Sequence, residues 1–418
     1  MNKLTQYAFS ELYQINSGIS TTKAQAGHGA PFVSFSTIFN NYYLPDTLDD
    51  LMDTSEKEQE TYSVKKGDVF LTRTSETMDE LAMSCVALKD YPKATFSGFA
   101  KRLRPIQTDI TYDKFMAFYL RSNYFRRIII NHTNMTLRAS FNEDIFSYIK
   151  LYLPEYKEQV KMGDFLYSLE EKRRTNIRII NLLNQKISKL FQHWFFNYEF
   201  PYEDMQHYAS NGGNLEVKKG GRRRIPAIFN NIPVLSLVNI KSEKINPANY
   251  PDIMFKHYSI PAYDKYGTYL LEKGSEIKSE KYIVNENDIL VSKLNPRFSR
   301  VIIPEKTENT ISSTEFVVWN TRENYLRNFL YALATSQDFI NYCVANASGT
   351  SNSHKRIDPE IMLNYKVAAN DKYIKIFGER IKNDIEIINQ SIVENRSIEK
   401  TINYILPLFV NGQAGFNS

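Results

Sequence analysis

Histidine, cysteine and clustered carboxylates are the residues that could support metal or nucleophilic chemistry, and they are scattered along this 418-residue chain. The six histidines show no His-x-x-x-His spacing, and Cys85 and Cys343 have no Cys-x-x-Cys partner. Asp68, Glu76 and Asp79 could converge on a metal ion, but Asp68 opens a turn before an apolar strand, which explains it without chemistry. The sequence therefore predicts no metal site.

Motifs that hold nucleotides or build a nucleophile are also absent from the sequence. It contains no Gly-x-Gly-x-x-Gly, Gly-x-x-x-x-Gly-Lys-Ser/Thr or Gly-x-Ser-x-Gly. Amino-methyltransferases hold a flipped base with Asn/Asp-Pro-Pro-Tyr/Phe, and Asn295-Pro296-Arg297-Phe298 resembles that element only loosely. We therefore expect a protein that binds rather than catalyses.

The composition favours several domains without a strong overall charge. Apolar residues make up 42% of the chain, and 52 Lys and Arg against 47 Asp and Glu give a net charge of +5. A nucleic-acid surface would therefore depend on local clustering. Both cysteines lie in apolar stretches, and Met1 to Ser10 lack an apolar signal region. No run of about 18 apolar residues occurs, so we expect a cytoplasmic protein with no membrane partner.

An internal repeat organises the chain. Residues 62–71 return as 282–291 with Tyr, Val and Asp at the same spacing, and both segments predict a polar turn that leads into a buried strand. Residues 115–125 are echoed by 329–339, and each segment is predicted to form one amphipathic helix. A polar loop and an alternating strand follow in both cases, so the same order of elements occurs twice.

Each repeat is followed by a long helical pattern. Mostly apolar residues recur every seven positions in two rows, from Met162 to Leu190 and from Leu166 to Trp194, and again from Ile374 to Phe409. No proline interrupts the first run after Pro154 or the second run before Pro407. Some forty residues of helix span about 60 Å. Because neither apolar seam can face water, we expect the two helices to pack antiparallel within the chain. Pairing of each helix with another subunit is the alternative.

Polar residues interrupt both seams, at Arg173 and Asn176 in the first and at Asn395 in the second. If antiparallel helices are aligned at the midpoints of their seams, Asn395 falls between Arg173 and Asn176. We therefore predict that Asn395 meets this polar pair, where a hydrogen bond would fix the register of the helices. On a slightly rotated helix all three side chains would instead face solvent.

Residues 197–231 differ from both repeats. They contain two Gly-Gly pairs and the run Lys218-Lys219-Gly-Gly-Arg222-Arg223-Arg224. Glycines on either side of a basic run favour a flexible arm that contacts phosphate, and a solvated linker fits the same composition.

Two α+β units, each followed by a long helix, resemble the specificity subunits of type I restriction-modification systems. The resemblance covers essentially the whole chain. It is carried by Phe9-Ser-Glu-Leu12 with Ile15-Asn-Ser-Gly18-Ile19-Ser20, by Val64-Lys-Lys-Gly67-Asp68-Val69-Phe70-Leu71, and by Phe196-Asn-Tyr-Glu-Phe200-Pro201 leading through Ser210-Asn-Gly-Gly213 to Arg224-Ile225-Pro226. The chain departs from the family in two places. The second half has no clear counterpart of 15–20, and Ala227-Ile228 replaces the usual Gly-Trp.

This resemblance implies an α+β fold in which two similar globular target-recognition domains are separated by two long antiparallel helices that form an intramolecular coiled coil. The expected boundaries are 1–154 for the first target-recognition domain, 155–196 for the central spacer helix, 197–369 for the second target-recognition domain and 370–418 for the C-terminal spacer helix.

The resemblance also implies a non-catalytic role. Each domain would read one half of a bipartite target on double-stranded DNA, and the helices would fix the spacing and dock two methyltransferase (modification) subunits. Restriction/translocase subunits would complete the assembly. S-adenosylmethionine, ATP and Mg²⁺ would bind to those partners, and none to this chain. The alternatives are a non-catalytic coiled-coil scaffold without specific DNA binding and a self-contained restriction or methylation enzyme.

Base readout is expected in corresponding loops of the two repeats, because Arg and Lys pair with guanine and Asn pairs with adenine in the major groove. The candidates in the first half are Thr72, Arg73, Thr74, Ser75, Asn134, Thr136 and Arg138. The candidates in the second half are Lys293, Asn295, Arg297, Arg300, Asn352, Lys355 and Arg356. Any one of them could instead touch phosphate or solvent, and the enrichment of both pairs of loops favours readout.

Overall fold

The computed structural model describes residues 3–75, 80–132, 139–141, 143–204, 206–219, 223–305, 308–349 and 354–416. The chain forms two compact units. The first comprises Met1–Arg173 with Ser397–Ser418, and the second comprises Arg174–Arg396. One long helix, Tyr156–Phe195, contributes residues to both units.

The globular part of the first unit is a mixture of short helices and strands. Its strands are β1 (Leu4–Ala8), β2 (Tyr13–Ser17), β3 (Ala26–Val33), β4 (Leu51–Met52), β5 (Val69–Thr72), β6 (Thr74–Ser75), β7 (Ser84–Val86), β8 (Thr95–Phe96), β9 (Ala100–Pro105), β10 (Ala139–Ser140) and β11 (Lys150–Pro154). Its helices are α1 (Phe9–Leu12), α2 (Phe35–Asn40), α3 (Glu56–Thr61), α4 (Asp113–Tyr119), α5 (Asn123–His132) and α6 (Glu143–Tyr148). The long helix Tyr156–Phe195 is α7.

An antiparallel sheet of order β2-β9-β5-β7 lies at the centre of this unit. Strand β5 is buried along its whole length because each face meets a separate core. Val69 and Leu71 pack into one apolar cluster with helix α4, and Phe70 packs into another with Cys85 and Phe96. Strand β1 pairs with β11, and β3 runs parallel to β8.

The second unit contains β12 (Pro201–Tyr202), β13 (Gln206–His207), β14 (Leu215–Val217), β15 (Arg224–Pro226), β16 (Asn230–Pro233), β17 (Asn239–Lys241), β18 (Lys244–Ile245), β19 (Met254–Tyr258), β20 (Leu270–Lys273), β21 (Lys281–Ile283), β22 (Asp288–Ser292), β23 (Val301–Ile302), β24 (Thr310–Ser312), β25 (Phe316–Asn320) and β26 (Lys366–Ala369). Its globular helices are α8 (Ile260–Tyr266), α9 (Asn324–Ala334), α10 (Gln337–Ala345) and α11 (Pro359–Leu363). The C-terminal helices are α12 (Asp371–Arg380) and α13 (Lys382–Val410).

The second unit repeats the topology of the first, which confirms the repeat and the α+β fold class. Its sheet has the order β17-β25-β22-β23, β16 pairs with β26, and β19 runs parallel to β24. Strand β17 therefore takes the place of β2, and it supplies the counterpart of 15–20 that the sequence did not reveal. Both cysteines, Cys85 and Cys343, are buried, and they are not joined in a disulfide.

One helix was expected for each of 115–125 and 329–339, and that prediction was wrong. Both segments break into two helices at a buried serine. Ser122 donates its hydroxyl to Tyr119 O at 2.6 Å and accepts the Phe125 N–H at 3.3 Å. Ser336 makes the same two bonds, to Leu333 O and from Phe339 N–H. The serine thus ends one helix and caps the next.

Apolar seams hold helix segments together in each unit. In the first unit Met162 and Leu166 of α7 share a core with Ile402 and Leu406 of α13. In the second unit Ile187 of α7 shares a core with Ile385 and Ile388 of α13, and beside it Lys186 Nζ lies 2.9 Å from Asp384 Oδ1. The C-terminal run is not one helix as expected, because α12 and α13 meet at an irregular residue, Ile381.

The antiparallel register is confirmed by a polar contact inside the second unit. Asn176, which is buried, donates its side-chain amide to Asn395 Oδ1 at 3.0 Å and to Glu394 Oε2 at 2.7 Å. Arg173, the other polar residue of the first seam, is held by Glu170 on its own helix, at 2.6 and 2.7 Å. Asn395 therefore meets Asn176, one member of the expected pair.

The segment 197–231 is not a flexible arm in its described part. Tyr198, Phe200 and Tyr208 are buried, and they pack in one cluster with Trp194 and Phe229. Three cations of the basic run bind nearby carbonyl groups. Lys218 donates to Ala227 O, Arg224 donates to Leu215 O, and Arg223 donates to Phe196 O. No helix in the described part of the chain is long and apolar enough to cross a membrane.

Replacing Asn176 by alanine should lower the free energy of unfolding by about 1–3 kcal/mol, because the partners Asn395 and Glu394 lose a buried donor. Asn181→Ala on the same helix is the control, since Asn181 is exposed and the change in helix propensity is identical. Urea unfolding followed by circular dichroism measures both. Equal effects of the two substitutions would show that the amide cluster contributes nothing to stability.

Candidate nucleic-acid interface

A buried aspartate fixes the start of the central strand in each unit. Asp68 is fully buried, and its Oδ2 accepts the Lys65 backbone N–H at 2.8 Å. Arg104 donates to both oxygens of Asp68, at 2.7 and 2.6 Å. Asp288 accepts the Asn285 N–H at 2.7 Å in the same way. The turn expected at Asp68 is therefore confirmed. The negative charge of Asp68 is balanced within the fold by Arg104.

The far end of β5 leads directly into a candidate readout loop. The Arg73 N–H donates to Phe99 O at 2.8 Å, and the Phe141 N–H donates to Arg73 O at 2.8 Å. Beyond Arg73, strand β6 pairs antiparallel with β10. The backbone of Arg73 is thus bound on both sides. One of its partners, Phe141, follows the second candidate loop of this unit in the sequence.

The second unit makes the same two backbone hydrogen bonds around Lys293, and we call this pair of bonds the backbone frame. Its N–H donates to Glu315 O at 2.9 Å, and the Ile357 N–H donates to Lys293 O at 3.0 Å. Lys293 is therefore the structural equivalent of Arg73. A further bond, from Asn295 N–H to Lys355 O at 2.7 Å, joins the two candidate loops of this unit. The backbone thus brings the two loops together in the second unit.

The candidate cations divide into paired and free groups. Arg300 donates to both oxygens of Asp264, at 2.6 and 2.9 Å, and Arg356 donates to both oxygens of Glu315 at 3.0 Å. The hydrogen bond to Glu315 raises the pKa of Arg356. Within the described part of the chain, no ion pair engages the remaining candidate cations, which are Arg73, Lys293, Arg297 and Lys355. These four are available to an anionic or base-edge partner.

Other candidates shape the loops. Thr72 is fully buried, accepts the Met83 N–H at 2.9 Å and donates to Glu80 O at 3.3 Å. Asn295 is buried with a positive φ of 50°, a conformation that asparagine tolerates in tight turns. Thr74 is half-buried in β6, and Ser75 follows it in that strand. The remaining candidates, Asn134, Thr136, Arg138 and Asn352, lie outside the described residues.

Two exposed aromatic residues belong to this interface and were not among the sequence candidates. Phe99, whose carbonyl holds Arg73, is 67% exposed. Phe298 is 48% exposed, and its ring lies 4.7 Å from the Arg297 guanidinium and 5.1 Å from that of Arg300. An aromatic residue between small residues, as in Ser97-Gly98-Phe99-Ala100, is the signal that could have revealed the first of them. Among the described residues, no cluster of three or more potential ligands could hold a metal ion.

A family model described as a type I restriction modification DNA specificity domain matches residues 5–185. The S subunit of a type I restriction-modification system from M. genitalium aligns over 97% of this chain and 95% of its own, at 13% identity and a TM-score of 0.59. The HsdS subunit from Thermoanaerobacter tengcongensis covers 98% and 97%, at 13% identity and a TM-score of 0.35. A chain from work on complex assembly and conformational transition of the type I R-M system covers 98% and 97%, at 12% identity and a TM-score of 0.40.

The last two structures superpose too poorly to support an argument, whereas the first shares the fold of this chain. No curated protein matches the sequence. The first half therefore contains a DNA specificity domain, and the second unit repeats its topology. Residues 5–185 therefore match the DNA specificity domain of type I restriction-modification systems, and the chain shares its fold with the S subunit from M. genitalium.

Replacing Thr72 by valine should destabilise the fold more than replacing it by serine, although valine preserves the buried volume. Valine leaves the Met83 N–H without its partner, at a cost of about 1–3 kcal/mol, whereas serine loses only one methyl group, worth about 0.8 kcal/mol. Thermal unfolding of the two variants gives the order. The opposite order would mean that packing, and not the hydrogen bond, holds this loop.

Proposed function

We propose that each unit reads one half of a bipartite double-stranded DNA target through the loops that follow its central strand. One observation supports this proposal above the others. The same two backbone hydrogen bonds hold, in both units, a cation that no ion pair engages within the described part of the chain, Arg73 in the first and Lys293 in the second. The two backbone bonds fix the main chain from which the side chain extends, and guanidinium and ammonium groups pair with guanine in the major groove.

The other unpaired cations extend this surface in the second unit. Arg297 lies against the exposed ring of Phe298, which limits the conformations of the guanidinium. Lys355 lies half-buried in the loop that pairs with Asn295. Because a cation without a carboxylate partner loses no ion pair on binding, these side chains suit contacts to bases or phosphates better than Arg300 and Arg356 do.

The long helices are proposed to set the spacing between the two half-sites and to bind the modification subunits. Helix α7 is uninterrupted over its 40 residues, which corresponds to about 60 Å. In the second unit four large apolar side chains of the helices are exposed, namely Ile177, Leu182, Ile387 and Val393. The register set by Asn176 and Asn395 places Ile177 at about the level of Val393. Exposed apolar side chains on these helices are suited to packing against helices of another subunit.

The complete assembly is proposed to contain two methyltransferase (modification) subunits and the restriction/translocase subunits, and to work in the cytoplasm. S-adenosylmethionine, ATP and Mg²⁺ would bind to those subunits, and the chain itself would bind none of them. This division of labour is consistent with a specificity subunit whose candidate interface offers cations and aromatic rings for DNA.

Arg73→Ala and Arg297→Ala should each relax recognition at a different end of the target. The expected loss for a contact that is bidentate to guanine is about 1–3 kcal/mol at one base pair. The measurement is binding of the complex with its modification subunits to duplex libraries randomised in one half-site at a time. Each variant should keep wild-type discrimination in the other half.

Lys65→Ala serves as the control for Arg73→Ala, because Lys65 is exposed at the opposite end of β5. It should leave discrimination unchanged in both halves. If both arginine variants weaken binding equally for every sequence, the two arginines contact phosphate and the readout assignment is wrong. If the wild-type complex does not discriminate between duplexes, the scaffold alternative is favoured.

Leu182→Glu should weaken binding of the modification subunit at least tenfold. Burying a leucine contributes about 1.5–3 kcal/mol, and a glutamate in its place would be desolvated on binding. Leu270→Glu is the matched control, since Leu270 is also exposed but lies on β20 in the globular part. Titration by calorimetry compares the two variants. An unchanged affinity for Leu182→Glu would place the docking surface elsewhere.

A further inference from the structure

Phe99 is exposed although its backbone is tightly held. It lies in the turn between β8 and β9, where its N–H donates to Ser97 Oγ at 3.2 Å and the Ala100 N–H donates to Ser97 O at 2.9 Å. The neighbouring Gly98 N–H donates to Ile19 O at 2.8 Å. The ring is nevertheless 67% exposed. Its exposure therefore does not result from a loosely held loop.

The glycines on either side of this contact show how closely the two chain segments approach. A Cβ added to Gly98 would lie 2.9 Å from Ile19 O, and one added to Gly18 would lie 2.1 Å from Ser97 O. Only glycine fits at such approaches. The turn is thus fixed against the segment 18–19, and Phe99 is presented in one position. A rigid apolar group loses little conformational entropy when it binds a partner.

The cation Arg73 lies directly opposite Phe99. The Arg73 N–H donates to Phe99 O at 2.8 Å, which continues the antiparallel pairing of β5 with β9. Residues directly opposite each other in such a pair have Cβ atoms about 5 Å apart on the same face of the sheet. An exposed apolar ring and a guanidinium that no described carboxylate engages therefore stand side by side at the end of the central strand.

We propose that Phe99 is a specificity-determining residue that packs against the 5-methyl group of a thymine in the major groove, next to the base pair that Arg73 reads. This inference rests on the proposed function of the loop. The thymine methyl is the one apolar group that a base pair presents in the major groove, and aromatic side chains contact it there. The first half-site should therefore contain a thymine whose methyl group contributes to affinity.

The second unit differs at the same position and should not make this contact. Glu315 takes the place of Phe99, since its carbonyl accepts the N–H of Lys293. Its carboxylate is bound by the guanidinium of Arg356 at 3.0 Å. A paired carboxylate and guanidinium offer hydrogen bonds but no apolar surface. The two half-sites are therefore read with different chemistry on the same frame.

The experiment pairs removal of the methyl group with removal of the ring. Methylation mapping of the complex with its modification subunits first identifies the target. Each thymine of the target is then replaced in turn by deoxyuridine, which lacks the 5-methyl group. For the wild-type complex we expect affinity to fall about fourfold at one position of the first half-site, the factor expected for one buried methyl group. The Phe99→Ala complex should bind the thymine and deoxyuridine duplexes equally at that position.

Ile106→Ala is the matched control. Ile106 is also an exposed apolar residue, at 55%, and it follows the opposite end of β9, about 20 Å from Phe99. Its variant should keep the full sensitivity to deoxyuridine. Thermal unfolding checks that both variants fold, which is expected because neither side chain is part of a core.

Two results would overturn the inference. If the wild-type complex tolerates deoxyuridine at every position of the first half-site, no methyl group is recognised there. If Phe99→Ala weakens binding by the same factor for all duplexes and the sensitivity to deoxyuridine persists, the ring contacts the DNA backbone or inserts between base pairs. In either case the complex would still discriminate between duplexes that differ in the sequence of a half-site. Failure of the proposed function would remove that discrimination altogether.

Discussion

A buried carboxylate at the start of the central strand is the interaction on which each domain depends. Asp68 and Asp288 both accept a backbone N–H from the turn before the strand, and both are shielded from water by a cationic partner, Arg104 or Lys241. A buried charge without such partners would be very unfavourable, so the turn, the strand and the partner are fixed together. The strand then delivers Arg73 or Lys293 to the same place in each unit.

Much of this arrangement could be predicted because the residues that build it recur in the sequence at a regular period or at matched spacings. The repeat was visible in Tyr, Val and Asp at matched positions, and the seams of the long helices were visible as a seven-residue recurrence. Asn395 could be placed opposite the pair Arg173 and Asn176 because antiparallel alignment leaves few choices of register, and the structure shows that it meets Asn176. These features depend on local order and on burial, both of which amino-acid types report directly.

Other features depend on contacts between distant segments and were therefore missed. A helix pattern across 115–125 does not show that the hydroxyl of Ser122 ends one helix and starts another. The basic run before Ile225 suggested a flexible arm because the carbonyl groups that bind Lys218 and Arg223 come near only when the chain is folded. Likewise Arg297 and Arg300 have the same charge in the sequence, but only Arg300 is bound by a carboxylate, Asp264.

The first unit is built from two separate segments of the chain, which affects the order of folding during synthesis. Its core combines residues from the beginning of the chain with Ile398, Ile402 and Leu406 near the end, whereas the second unit is one continuous stretch, Arg174–Arg396. A ribosome that has finished the second unit has not yet released the residues that close the first. The unit whose synthesis begins first is thus completed last.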